Sequence, residues 1–251
     1  MIEADPGRLL DTALEVFARG ICVPRSFTHP YLAERVEGLW VTRDAPRKRG
    51  RYRREEWVAH GVTPGQTVEI VRRHTRGRYA VCAICATGES DEPMRAGYRA
   101  LDHRLGFTEP IMVHHLRRIP RLTSPIKIVR VLDPALANKV NKAVRRRQIL
   151  PEHLDADAPL RMYAALEDGD PAGWVTSIDV AGATWCANLY VKPEFRRRGI
   201  GRALMCRMLR DDRSHGSQLA VLAASHTGAL LYPLVGYEQI GTLYSYTPRR
   251  R

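Results

Sequence analysis

The run NLYVKPEFRRRGIGRALMCRMLRDD, residues 188–212, holds the residue types in this chain best suited to chemistry. They suit an anion. Gly199 and Gly201 let the backbone turn tightly and approach a ligand with no Cβ in the way. The first N–H groups of a helix lack internal partners and lie at its positive end. Together these features make a diphosphate cradle. Arg196, Arg197, Arg198 and Arg202 add countercharge. An isolated Arg-x-x-Gly-x-Gly is a weak signal, because glycine- and arginine-rich turns are common. Its flanks strengthen it. An apolar run ends at Val191, Pro193 stops it, and apolar Leu204, Met205, Met208 and Leu209 follow at helical spacing.

The elements that must hold this loop are legible in the second half. Strands are expected at 126–132, 160–166, 173–179, 184–191, 218–223 and 237–246. Helices are expected from Pro134 to about Arg146, from Gly199 to Asp212, and at 227–234. The order βα–βββ–α–β–α–β gives an α/β (α+β) mixed sheet with helices on its faces. Pro120 and Pro125 frame a polar connector, which places a boundary near residue 124 and domains at 1–124 and 125–251.

Residues 126–251 resemble the GNAT acetyltransferase superfamily, most clearly in LYVKPEFRRRGIGRAL and ALLYPLVGY. The resemblance implies a GNAT-like fold preceded by a smaller α/β domain, with acetyl-coenzyme A as co-substrate. It implies that Arg196, Arg197, Arg198, Gly199, Ile200, Gly201 and Arg202 bind the coenzyme's pyrophosphate. Leu189, Tyr190 and Val191 would offer backbone groups to the pantetheine and thioester, where the strand splays from its neighbour. Tyr232 would protonate the leaving thiolate. A phenol of ordinary pKa about 10 can do so within hydrogen-bond reach; the alternative is that it packs on cofactor or core.

Two departures stand out. The family often has asparagine where this chain has Ser225, whose hydroxyl can still bond the cofactor. The family also often places a carboxylate on the strand before the loop, and TWCANLYV has none. Asp179 and Glu194 are the nearest acids and read as surface residues. A base acting through water, or an amine arriving neutral, serves equally. His226 reads as a helix-start or solvent residue.

In the first half, helices are expected at 7–19, 64–75 and 91–105, and strands at 39–42, 79–86 and 107–116. The basic stretch 43–54 reads as a solvated loop. This half also reads as a degenerate echo of the second. LWVTRDAPRKRGRY parallels LYVKPEFRRRGIGR, YAVCAICATGES parallels LAVLAASHTG, and YRALDHRLGFTEPIMV parallels LYPLVGYEQIGTL. Tyr52 then stands where the loop needs its second glycine, which predicts a half that no longer binds coenzyme. Residues 27–40 are candidates for the acceptor site or for an interface between halves.

The net charge of +13 favours anionic ligands, although only five of the 40 basic residues are lysines, an arginine bias that a GC-rich genome also produces. Nucleic acid is the less favoured partner. The five cysteines, including the lone pair Cys82 and Cys85, read as reduced core thiols with no metal site. The N-terminus lacks a secretory pattern, and no apolar run is long enough to span a membrane, so a cytoplasmic protein is expected. The leading reading is an acetyl-coenzyme A-dependent N-acetyltransferase acting directly on an amine of a small molecule or protein. The alternatives are a nucleic-acid- or ribosome-associated acetyltransferase or binding protein, and a non-catalytic acyl-coenzyme A sensor. The acceptor and the oligomeric state leave no readable motif.

Overall fold

A computed structural model describes residues 6–122, 126–144 and 147–249. The expected boundary near 124 lies outside these residues. The chain separates into two compact units. The first takes the described residues within 1–112, 223–226 and 239–251, and the second takes those within 113–222 and 227–238.

The first unit begins with α1 (Pro6–Arg25), longer than the helix expected at 7–19. Then come β1 (Tyr31–Val36), β2 (Leu39–Asp44) and β3 (Glu55–Ala59). α2 (Pro64–His74) leads to β4 (Tyr79–Ala86), and α3 (Glu92–Ala100) leads to β5 (His103–His114). α3 stops well short of residue 105, because Asp102 takes a left-handed φ of 61° and the chain turns into β5.

The second unit holds β6 (Lys127–Arg130) and α4 (Pro134–Val144), followed by β7 (Leu160–Glu167), β8 (Asp170–Val180) and β9 (Ala183–Val191). The end expected for α4, at Arg146, lies outside the described residues. α5 (Ile200–Ser214) then leads to β10 (Ala220–Ala223). The helix expected at 227–234 is two pieces, α6 (His226–Ala229) and a 3-10 turn, Tyr232–Val235. The last strand, β11 (Glu238–Pro248), belongs almost wholly to the first unit.

The strands of each unit run in mixed directions, and the local topologies of the two units match. In the first, the strand order is β1-β2-β3-β4-β11-β5. β1, β2 and β3 pair antiparallel, and β3 pairs parallel with β4 across α2. In the second, the order is β10-β9-β8-β7-β6. β7, β8 and β9 pair antiparallel, and β9 pairs parallel with β10 across α5. A parallel neighbour needs a crossover, and a helix packed on the sheet supplies it.

This match corrects the expected echo in one place. The counterpart of β9, its loop and α5 is β3, residues 60–63 and α2. Leu39–Asp44 is therefore the counterpart of β8, one strand too early. The error arose because β3 opens with two glutamates and reads as polar. Glu55 is in fact 1% exposed and bonded by Arg76 at 3.0 Å. Tyr52 accordingly occupies no glycine position. The other two anchors, at β4 and at β5, keep their places.

The basic stretch 43–54 is also less solvated than expected. Asp44 is 1% exposed and accepts from Arg47 Nε at 2.9 Å and Arg53 Nε at 2.6 Å. Burial pushes its carboxyl up, and the two arginines more than reverse this, holding it well below the usual carboxylate range. Arg43 pairs with Glu34. Exposed within it are Pro46, the tip at residues 48–51, and Arg54. Cys82 and Cys85 are both buried in β4, where burial pushes their thiols up, away from reactive thiolate.

Candidate functional site

Two irregularities in β9 shape the site. The first lies against β8. Tyr190 faces Trp174 and Ala187 faces Thr176, so β9 carries one extra residue across this interval. That bulge centres on Asn188, whose φ of 56° is left-handed, a conformation asparagine tolerates. A bulge bends its strand and re-aims the residues that follow. Tyr190 is 40% exposed and stacks on Trp174 with ring centroids 4.9 Å apart.

The second lies against β10. The two strands pair only at Thr184 with Ala220 and Trp185 with Val221. β9 runs on to Val191 with no further β10 partner, so a wedge opens after Trp185. Backbone groups along such an unpaired stretch can take an extended ligand as an added strand would bind. The first unit lacks this feature. β3 and β4 pair in unbroken register from Glu55 with Tyr79 to Ala59 with Ala83.

The loop after β9 places the basic residues. Pro193–Phe195 forms a 3-10 turn. Arg196 then folds back, its Nε donating to the Val191 carbonyl at 2.9 Å, with its guanidinium 5.7 Å from the Tyr190 ring centre. Arg197 (φ 63°) and Gly199 (φ 78°) are left-handed, and this turns the chain into α5. Gly199 caps α5 without a side chain. The N–H groups of Ile200, Gly201 and Arg202 therefore have no acceptor within the helix. Arg197 and Arg198 are exposed, Arg198 pairing with Glu167 at 3.1 Å. Arg202 is half-buried, and its Nε has no partner.

Gly201 also answers to packing. A Cβ there would lie 3.0 Å from Leu231 Cδ1 and 3.8 Å from Val191 Cγ2, so its bareness serves packing of α5 against the interior. Gly199 meets nothing within 4 Å and is needed for its positive φ. Ile200 is buried and can offer only its backbone.

Tyr232 is 8% exposed, with its ring 5.7 Å from that of Tyr237. Its hydroxyl makes no hydrogen bond to a described residue. Burial pushes its pKa up, and the nearby Cys186 thiol adds to this. Cys186 is the first β9 residue past the last β10 pair, so Tyr232 sits where the wedge begins. Leu189 and Val191 are half-buried at the strand's end. Ser225 and His226 are exposed just past β10, in the short segment that clusters with the first unit.

Of the two acids, Glu194 is exposed as expected. Asp179 is different: it is half-buried and its Oδ1 accepts from Arg161 Nη2 at 2.6 Å. Arg161, itself 1% exposed, also donates to Asp212 Oδ1 at 3.0 Å. Ser177 Oγ donates to the same oxygen at 2.6 Å. Sequence reading missed this network, because Arg161, Ser177 and Asp212 lie far apart in the chain. Its carboxylates are engaged in holding α5 to β7 and β8.

Residues 158–239 match the family model of the acetyltransferase (GNAT) domain. No curated protein matches the chain in sequence. Among solved structures, the chain is similar in fold to a GCN5-related N-acetyltransferase from Kribbella flavida, with a TM-score of 0.65, 14% identity, and 96% of each chain covered. It is also similar to a tandem GNAT protein from the clavulanic acid biosynthesis pathway, with a TM-score of 0.56, 16% identity, and 96% of this chain and 94% of that one covered. A GCN5-related N-acetyltransferase from Sphaerobacter thermophilus gives a TM-score of 0.56 at 17% identity, over 82% of this chain and 75% of that one.

Proposed function

We propose that the chain is an acetyl-coenzyme A-dependent N-acetyltransferase, a reading supported by the match of residues 158–239 to the acetyltransferase (GNAT) domain model. One observation carries the reading. The wedge between β9 and β10 opens on the strand that leads into the uncapped start of α5. Pantetheine is an extended amide chain, and the backbone of Leu189, Tyr190 and Val191, which has no β10 partner, suits it. Its pyrophosphate suits the N–H groups of Ile200, Gly201 and Arg202, with Arg197 and Arg198 as exposed countercharge.

In this reading the acceptor nitrogen attacks the acetyl carbonyl carbon. The new C–N bond forms as the C–S bond breaks. A backbone N–H near Val191 stabilises the carbonyl oxygen as charge develops. Holding both substrates together supplies much of the rate. The Tyr232 hydroxyl gives its proton to the leaving thiolate, and the proton shed by the nitrogen restores it through water. Because burial raises the pKa of Tyr232, that transfer comes late, when thiolate charge is fully developed. β9 has no carboxylate and Asp179 is tied to Arg161, so the amine arrives neutral or loses its proton to water.

Calorimetric titration with acetyl-coenzyme A tests the donor. Wild type should bind saturably, and the double variant Arg197→Glu/Arg198→Glu should bind at least about tenfold more weakly. Absent binding, or equal binding by both, would overturn the proposal. This pair is a cleaner probe than a bulky change at Gly201, which faces Leu231.

A second reading, an acyl-coenzyme A sensor without turnover, draws on the missing strand carboxylate and the raised pKa of Tyr232. Thiol release with a panel of amines separates the two. Release that Tyr232→Phe lowers by about a hundredfold supports catalysis. Binding with no release on any amine supports the sensor.

A further inference from the structure

The first unit carries a basic cavity that the coenzyme reading leaves unused. It measures about 810 Å³ and opens where β3 and β4 begin and β11 ends, with Arg54, Arg78, Tyr79, Arg104 and Arg249 in its wall. A neighbouring cavity of about 220 Å³ shares Arg104 and Arg249 and adds Arg95, Arg99 and His103. No carboxylate lines either one among the described residues.

Elsewhere in the unit several arginines are closely paired. Arg25 meets Glu56 at 2.9 Å, Arg73 meets Glu37 at 2.8 Å, and Arg76 meets Glu55 at 3.0 Å. Around the cavity, Arg78, Arg99 and Arg104 have no ion-pair partner among the described residues. The partners of Arg54 and Arg249 stand off at 3.7 and 3.9 Å. Arg95 meets Asp91 at 3.4 Å. Like charges gathered with few close counterions repel, and a bound anion relieves that repulsion.

We propose that this cavity is a binding site for a small polyphosphate-bearing molecule of nucleotide size. Its volume falls in the range of small-molecule pockets, about 300–1,000 Å³. Guanidinium groups reach it from four chain segments, and each can grip a phosphate with two parallel bonds. The Tyr79 ring is a fixed aromatic wall. Its hydroxyl lies 3.2 Å from His103 Nε2, and His103 Nδ1 lies 2.9 Å from the Leu101 carbonyl. The arginines ring a concavity, which suits a compact anion better than a long strand that must follow a stripe of charge. The site belongs to the first unit and the proposed coenzyme loop to the second. Here the β3 and β4 chains begin, whereas the coenzyme loop follows the end of β9 in the other unit.

Calorimetry with ATP and with inorganic tripolyphosphate tests this on the full chain. Both should bind wild type. Arg78→Ala/Arg104→Ala should weaken both by about tenfold or more, while Arg197→Glu/Arg198→Glu should leave them unchanged. The charge-conserving Arg78→Lys/Arg104→Lys should give an intermediate loss, because it keeps the charge and removes the fork. Both side chains are exposed, and thermal unfolding will verify that each variant is folded. Binding lost only in the Arg197/Arg198 variant would move ATP to the coenzyme loop and overturn the proposal. So would no ATP binding, or an oligouridylate RNA that binds through the same arginines more tightly than ATP.

Discussion

Arg161 lies between Asp179 and Asp212 at the base of α5, and Asp212 is fully buried. Burial pushes the Asp212 carboxyl up, while the Ser177 hydroxyl and the Arg161 guanidinium hold it back. Removing one member of a buried pair leaves its partner uncompensated. Asp212→Ala should therefore cost about 3 kcal/mol of stability, read by denaturant unfolding. The site's tyrosine gives a pH prediction. Raised by burial, Tyr232 stays protonated above the ordinary phenol range, so the alkaline limb of kcat should lie above the usual tyrosine pKa near 10. The sign for stability follows. The unfolded chain loses this proton first, so its contribution is intact below the unfolded pKa and is lost as pH rises towards the folded value. A kcat limb below pH 10 that vanishes in Tyr232→Phe would contradict this assignment.

At the scale of elements, the two corresponding helices begin differently. α2 starts after Thr63, whose Oγ1 accepts from Gln66 N–H at 3.4 Å while Gln66 Oε1 accepts from Thr63 N–H at 3.3 Å. Pro64 brings no N–H. The start of α2 is thus satisfied within the chain, and α5 is left open by Gly199. Thr63→Ala should lower stability by about 1 kcal/mol, measured by thermal unfolding, and create no coenzyme affinity. Most elements of the second half were legible because their signals are local: proline stops, glycine turns and apolar period. β1 and β3 were not. β1, Tyr-Leu-Ala-Glu-Arg-Val, has no polar–apolar alternation to mark it, and β3 starts with glutamates that only tertiary partners neutralise.

The whole molecule pairs an open wedge in one unit with a closed one in the other. β3 and β4 zip along their full length, and β9 and β10 part after two residues. We therefore expect one acetyl-coenzyme A per chain. A calorimetric stoichiometry of two would show that the first unit also admits coenzyme. Tyr52 has no part in this, because it lies before β3 and one strand away from the turn that leads into α2. By itself the sequence determined the turn at Arg196–Arg202, the strand before it and the helix after it, because turn chemistry and helix starts depend on neighbours in the chain. Only the tertiary structure decided which strand of the first half corresponds to β9, that Gly201 packs against Leu231, and that Arg43, Arg47 and Arg53 pair with carboxylates of the same unit. Those outcomes rest on strand register and on charges that meet across long separations, and neither has a local signature.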